Sequence, residues 1–223
     1  MVSAVKAGHG NRPTGTRLAP VVKGEDAGKR GRDHPLRRDA LANQERVLAA
    51  AVTMMLREGR QVPMATIAAE AGVGVGTLYR RYPNREALLA ELTLRAFELL
   101  TDLVQRAAAR EGSALDRIGW YWDRVIEQRE QLVLPLHGGP RVSAPAALAA
   151  RTRLHQSLRR ILQAGQREGS IRLDVDVADL IIFGAMLVAP LPGASDWDAV
   201  AARQKNIHLD GLAARPRPAP PPT

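Results

Sequence analysis

The chain has no cysteine among its 223 residues, which removes disulfide frameworks and thiolate metal sites. Aromatic residues make up only 4%, while Ala, Leu and Arg dominate, a balance that favours helices over sheets. No uninterrupted run of about 18 apolar residues occurs, the length a membrane-spanning helix needs. The first residues lack the apolar centre of a signal peptide, so the expected location is cytoplasmic, with no membrane partner. His9, His34, His137, His155 and His208 are scattered without metal-ligand spacing, and neither a metal nor a cofactor is expected. No glycine-rich phosphate loop follows a strand, and no nucleophile–base arrangement is readable, which argues against an enzyme.

What is present is a 45% hydrophobic chain with a formal charge of +9. The apolar content can supply a core, and the charge favours a polyanionic partner. Part of that charge sits in residues 1–36, where Lys6, Arg12, Arg17, Lys23, Lys29, Arg30 and Arg32 lie among Gly, Pro and Thr. Without helical or strand period, 1–36 reads as a disordered basic extension. Its two uses are a solvated tail or an arm that follows DNA phosphates. At the other end, 215–223 is proline-rich and reads as an extended, disordered tail.

The organising stretch is 63–89, PMATIAAEAGVGVGTLYRRYPNREALL. Ile67, Ala68 and Ala71 share one helix face, and Gly72 follows at the place where a left-handed residue stops a helix cheaply. Val73 is apolar inside the turn and is expected to plug the angle between two helices. A second short helix is expected over 75–81, with Leu78 inward and Thr77, Arg80 and Arg81 outward. Two short helices joined by a tight glycine turn make a helix-turn-helix, whose second helix enters the major groove of duplex DNA.

The same residues carry a resemblance to the TetR family of bacterial transcriptional regulators. The matching positions are Ile67-Ala68, Ala71-Gly72-Val73, Gly76-Thr77-Leu78-Tyr79, Tyr82, Arg85-Glu86 and Leu88-Leu89, with Arg38-Asp39-Ala40, 43–48 and Gly59 upstream. The resemblance covers about 37–100. Two positions depart from the family pattern: Pro63 stands where a hydroxyl residue often caps, and Val75 where a Ser commonly does. The resemblance implies an all-α fold, with a three-helix helix-turn-helix DNA-binding domain over 37–84 and a helical effector-binding and dimerisation domain over 85–214. It also implies a repressor that binds a near-palindromic operator as a homodimer and is released by a small molecule of unknown identity. A sequence-tolerant architectural DNA-binding protein is the alternative, and a helical enzyme a more distant one.

Within this frame the first helix is expected over 39–58, with Val47, Leu48, Ala51 and Met55 as its apolar stripe and Gly59 as its end. Asn84 is a good N-cap for a long helix to about 110; Leu89, Leu92, Ala96, Leu100, Leu103 and Ala107 fall on its inner face. A further helix over 113–129 turns Leu115, Ile118, Trp122, Val125 and Ile126 inward, leaving Trp120 opposite among Asp116, Asp123 and Glu127, as an exposed contact for a partner. Residues 132–145 are broken by Pro and Gly, and a helix over 146–167 follows. The stretch 176–188, DVADLIIFGAMLV, is apolar all round after its first turn. Such a helix needs burial on every side, which one's own core plus a second copy of the chain supplies. The last helix is expected over 195–213.

The DNA-facing candidates are Val75, Gly76, Thr77, Arg80 and Arg81. Val75 and the Thr77 methyl suit a thymine methyl, the Thr77 hydroxyl a base or phosphate, and each Arg a guanine or a phosphate. Gly76 permits close backbone approach. Thr66 is placed to hold a phosphate from the other flank. By resemblance Tyr79, Tyr82 and Arg85 are phosphate clamps, their rings in the core and their polar ends outward. For the effector, the pocket candidates are Phe97, Leu100, Trp122, His137, Leu154 and Phe183, although core for Trp122 and surface for His137 are the plainer readings. The resemblance implies that the last two helices form a four-helix dimer interface, and Ile182, Ala185, Met186, Ala189, Leu209 and Leu212 are its candidates.

Overall fold

The computed structural model describes residues 33–59, 61–132, 144–191 and 195–214, with side chains from Arg38 onward. The chain divides into two compact units, Met1–Leu41 and Ala42–Thr223. Of the first, the described part is the opening of helix α1, Asp33–Glu58, where Arg38, Asp39, Ala40 and Leu41 are exposed. This helix starts at Asp33 rather than near 39, so 33–36 do not belong to a structureless extension. Pro35 is tolerated there because the first N–H groups of a helix have no intrahelical partner to lose. The remaining expectations for 1–32 and 215–223 fall outside the described residues.

The second unit continues α1 and adds α2 (Met64–Glu70), α3 (Val75–Arg81), α4 (Arg85–Ala108), α5 (Ala114–Glu127), α6 (Pro145–Glu168), α7 (Val177–Leu187) and α8 (Trp197–Leu212). The fold is all-α. Among the described residues the nearest thing to a strand is one isolated antiparallel bridge between Ile171 and Ala213.

Two apolar cores form. The smaller gathers Val47, Leu48, Ala51, Met54 and Met55 of α1, Ile67 and Ala68 of α2, Leu78 of α3, and Leu88, Leu89 and Leu92 of α4. The larger begins one turn further along α4 at Ala96 and takes in Leu100, Val104, Ile118, Trp122, Leu154, Leu158 and Leu180. Helix α4 is therefore shared. Its start is fixed by Asn84, whose side-chain oxygen accepts from the Ala87 N–H at 2.8 Å, with Glu86 at the positive end of the helix dipole. Where the helix interior meets polar side chains, the Thr93 and Thr101 hydroxyls turn back to the Leu89 and Phe97 carbonyls, so neither is buried unpaired.

Helix α5 opens with a reciprocal capping box between Ser113 and Asp116. Its inner stripe is buried as the periodicity predicts. Trp120 differs from expectation: it is half-buried against the larger core, and the guanidiniums of Arg106, Arg110 and Arg124 stand 5.7, 4.9 and 5.7 Å from its ring. Its acidic sequence neighbours do not surround it, because the end of α4 packs alongside and brings two of the arginines.

Helices α6 and α7 meet through a tight connection. Gly169 takes φ 73° after α6. The chain then pairs with the end of α8, Arg172 N–H donating to the Leu212 carbonyl and Ala214 N–H to the Ser170 carbonyl, each at 3.0 Å. On α7, Val177, Leu180, Gly184 and Leu187 face the core, while Ile182 and Met186 are 60% and 59% exposed. Helix α8 is held to α5 by Lys205–Asp123 at 2.5 Å and Arg129–Asp198 at 2.6 Å, and to α7 by Trp197, whose Nε1–H donates to the Leu187 carbonyl at 2.8 Å.

Gly165 on α6 is a packing requirement. A Cβ there would stand 2.6 Å from the Ala114 Cβ and 2.5 Å from the Ile171 Cδ1. Gly165→Ala is expected to lower stability by about 1–2 kcal/mol through overpacking, although helix propensity alone would raise it by about 1 kcal/mol. Urea denaturation at fixed protein concentration decides the sign.

Candidate nucleic-acid interface

Helix α3 is seven residues long, and only Leu78 of it is buried. Its placement comes from the turn before it. Gly72 adopts φ 64°, a left-handed conformation that costs glycine nothing. Val73 donates its N–H back to the Ala68 carbonyl at 3.0 Å and packs half-buried on the smaller core, plugging the angle as expected. Pro63 and Gly74 occupy the N-cap positions of α2 and α3, and neither supplies a side-chain cap. The Thr66 and Thr77 N–H groups return to the Pro63 and Gly74 carbonyls at 3.0 and 2.9 Å; the N–H groups ahead of them have no side-chain cap, and phosphate oxygens are suited to that place.

The outward face of α3 carries Val75, Gly76, Thr77, Tyr79, Arg80 and Arg81, all exposed. Val75 and Tyr79 are 43% and 45% exposed, an unusual outlay of apolar surface on so short a helix. At Gly76 a Cβ would meet nothing within 4 Å. The fold does not demand glycine there, and glycine in a helix costs about 1 kcal/mol relative to alanine. A bare backbone at that point is useful to something that approaches from outside.

The two arginines differ. Arg80 has no hydrogen bond or ion pair among the described residues. The Arg81 guanidinium donates to Gln44 Oε1 at 2.8 Å, and Gln44 Nε2 donates to Glu91 Oε1 at 2.9 Å. Glu91 and Glu45 both pair with Arg95, at 3.5 and 2.7 Å. This polar chain ties the end of α3 to α1 and α4. Arg85 is likewise engaged, donating to the Val62 carbonyl at 2.6 Å and the Gln61 carbonyl at 3.3 Å. It fastens the start of α4 to the segment ahead of α2.

Tyr82 corrects the expectation that its hydroxyl is outward. The residue is 4% exposed and its oxygen is enclosed too, beside Arg81. Burial pushes its ionisation upward, with Glu91 adding to the shift and Arg81 opposing it. A phosphate cannot reach this oxygen in the present arrangement. Tyr79 remains outward, and Thr66 is half-exposed.

Of the pocket candidates, Phe97, Leu100 and Leu154 line a partly open cavity of about 50 Å³ between α4, α5, α6 and α7, together with Tyr121, Val125, His155 and Leu180. Trp122 and Phe183 do not line it. They form an aromatic group with His208, Phe183 stacked on the imidazole at 3.8 Å and Trp122 edge-on to both. Sequence pattern missed His155, because it follows a core leucine in a helix otherwise rich in arginine. His137 falls outside the described residues.

Of the dimer candidates, Ile182 and Met186 are exposed, and Ala185 and Ala189 half-exposed. Leu212 is buried within its own chain at 4% exposure, drawn in where the end of α8 pairs with the segment after α6. Leu209 leans on Gly119, where a Cβ would stand 3.1 Å from its Cδ1. Neither faces outward; Ile207, 57% exposed, does.

A helix-turn-helix with a bare, basic outer face, set on a larger helical body, defines a DNA-binding regulator. The chain belongs to the TetR family of bacterial regulatory proteins. The family's N-terminal model matches residues 47–92, and the model for the C-terminal domain of SbtR-like transcriptional regulators matches 132–214. A TetR transcription regulatory protein of known structure from Mycobacterium vanbaalenii is 32% identical, over 80% of this chain and 99% of that one, with a TM-score of 0.56. A TetR-family regulatory protein from Rhodococcus RHA1 shares the fold, at 19% identity, over 78% of this chain and 98% of that one, with a TM-score of 0.63. The HTH-type transcriptional repressor KstR of Mycolicibacterium smegmatis is 33% identical over 78 residues, 34% of this chain. That match spans 38% of the length of KstR. The protein is a DNA-binding transcriptional regulator and not an enzyme.

Gly76→Ala separates the fold from the interface. Thermal stability should rise by up to about 1 kcal/mol, while affinity for operator DNA falls about tenfold or more in a gel shift. A variant that gains stability and keeps full affinity would show that nothing approaches the backbone at that point.

Proposed function

We propose that the protein is a repressor that binds a near-palindromic operator as a homodimer and leaves it when a small molecule enters the body of the fold. The single observation that carries the DNA part is α3: one buried side chain, an open glycine and an unpaired Arg80 on the same short helix. Val75, Gly76 and Thr77 at its start read base edges, Arg80 takes a guanine or a phosphate, and Tyr79 and Thr66 hold the backbone. Arg81 and Arg85 contribute first by fixing the helix against α1, α2 and α4, and their charge adds to phosphate attraction. The similarity to KstR, itself named a repressor, supports the sign of the regulation.

The dimer reading rests on α7 and α8. Ile182 and Met186, four residues apart on one face of α7, and Ile207 on α8 are large and exposed, and large exposed apolar surface marks partner sites. A second copy supplies the same patch in return, as two-fold symmetry requires. Two α3 helices then read half-sites about 34–36 Å apart or at a multiple of it. Residues 37–84 serve the DNA and 85–214 the effector and the partner, with α4 common to both.

The effector reading rests on α4. Phe97 and Leu100 line the cavity, and the same helix, three turns earlier, contributes Leu88 and Leu89 to the core that holds α3. A ligand that pushes α4 must disturb the spacing of two reading heads. By linkage it binds the DNA-incompetent state better.

Two measurements test this. Footprinting on the DNA beside the protein's own gene locates an operator; on it, Arg80→Ala should lose about 1–3 kcal/mol of preference over random duplex, and an unchanged preference would remove Arg80 from base reading. Met186→Glu combined with Ile182→Glu should halve the solution mass and sharply weaken operator binding. A doubly substituted chain that stays dimeric would place the interface elsewhere.

A further inference from the structure

The partly open cavity has a polar side, and cations but no carboxylate flank it along α6. Phe97, Leu100, Val125 and Leu180 make its wall apolar. Tyr121, which also lines it, is fully buried, and burial pushes its ionisation up, so it stays a neutral phenol. The remaining polar side chain of the lining is His155 on α6, half-buried. Arg151 and Arg159 lie one turn before and one turn after it, on the same helix face. Both are exposed, and both press on the imidazole electrostatically; burial and these two cations together hold its pKa below the ordinary value. Neither arginine pairs with a carboxylate among the described residues. Helix α6 as a whole carries Arg151, Arg153, Arg159, Arg160 and Arg167 against one acid, Glu168.

His155 lines the apolar hole, and the two arginines one turn away on either side act on it without a paired carboxylate, so this side is poorly placed for a cation and well placed for an anion. The wider cleft of about 400 Å³ between α1, α4 and the end of α5 lacks this property. Its one cation, Arg95, is already held by Glu45 and Glu91.

We propose that the cavity is the effector site and takes an amphiphile with an apolar body and an anionic head, carboxylate or phosphate. The body lies between Phe97, Leu100, Val125 and Leu180, and the head rests on His155 between Arg151 and Arg159. This rests on the ligand-switch reading above and gives it a chemical class. The cavity as it stands, at about 50 Å³, has room for one or two waters, each taking about 30 Å³ in the liquid. Sites for whole small molecules run to about 300–1,000 Å³. The ligand therefore enters only as α4, α6 and α7 separate.

The test is direct binding to the full-length protein without DNA. Calorimetric titrations use decanoate, decyl phosphate, decanol and decyltrimethylammonium, each below its micelle concentration, so that the chain is constant and only the head changes. At least one of the two anions should bind about tenfold or more tighter than decanol, as a charge-assisted hydrogen bond of about 1.5–3 kcal/mol gives, and the cation should bind weakest. Which anion binds tighter identifies the head. The double substitution Arg151→Ala and Arg159→Ala, at exposed positions that spare the fold, should erase the preference and leave decanol unchanged. Equal binding of decanol and both anions, a preference that survives the double substitution, or no binding by any of the four overturns the proposal. An operator gel shift without ligand is run in parallel; intact DNA binding beside a failed titration leaves the regulator reading standing.

Discussion

One helix belongs to two cores. Leu88, Leu89 and Leu92 of α4 are packed among α1, α2 and α3, and Ala96, Phe97, Leu100 and Val104 among α5, α6 and α7. Interiors are close-packed and transmit displacement instead of absorbing it. A shift of α4 in the larger core therefore has to appear in the smaller one. Tight caps and inward-turned threonines leave the helix few soft points, since Asn84 closes its start and Thr93 and Thr101 bond to their own helix. The helix-turn-helix and the cavity of the larger body thus share one mechanical element.

The smaller core alone does not fix α3, because Leu78 is its only buried side chain there. Polar contacts complete the attachment. Arg81 to Gln44, Gln44 to Glu91 and Glu91 to Arg95 link α3, α1 and α4 in one chain of side chains, while Arg85 grips the carbonyls ahead of α2. Each link is partly exposed and worth little in isolation. Together they specify orientation, which matters more than stability for a helix that must meet a groove at a set angle. The cationic side chains here are thus divided: Arg80 is exposed and is the one proposed to meet DNA, while Arg81 and Arg85 hold the frame.

Periodicity made much of this legible in advance. The inner faces of α4 and α5 are where a 3.6-residue period puts them, and the glycine turn before α3 announces itself through Gly72 and Val73. The failures share a cause: each depends on a neighbour distant in sequence. Trp120 sits among acids on its own helix, yet its ring meets Arg106 and Arg110 because α4 ends beside it. Leu212 reads as an outward residue of a terminal helix, but pairing of Arg172 with the Leu212 carbonyl draws that turn inward. Tyr82 has the composition of a clamp, and only tertiary packing encloses its hydroxyl. The early start of α1 is a separate, local case: Pro35 fits the first turn of a helix, where no intrahelical partner is lost.

The size of the cavity sets a lower bound on what can operate the switch. Reversing a population from 99:1 to 1:99 takes a differential affinity of about 5.5 kcal/mol between the two states. A ligand burying on the order of 300 Å² of apolar surface gains about 7 kcal/mol at roughly 25 cal/mol/Å². From that gross figure the separation of α4, α6 and α7 and the ordering of the ligand must be subtracted. The remainder falls near or below the threshold, so apolar contact by itself leaves the balance undecided. In the proposed complex, a head group on His155 between Arg151 and Arg159 adds the charge-assisted contacts that carry it over. In this proposal small or uncharged apolar molecules gain too little to hold α4, α6 and α7 apart, and selectivity for the effector comes from its head group.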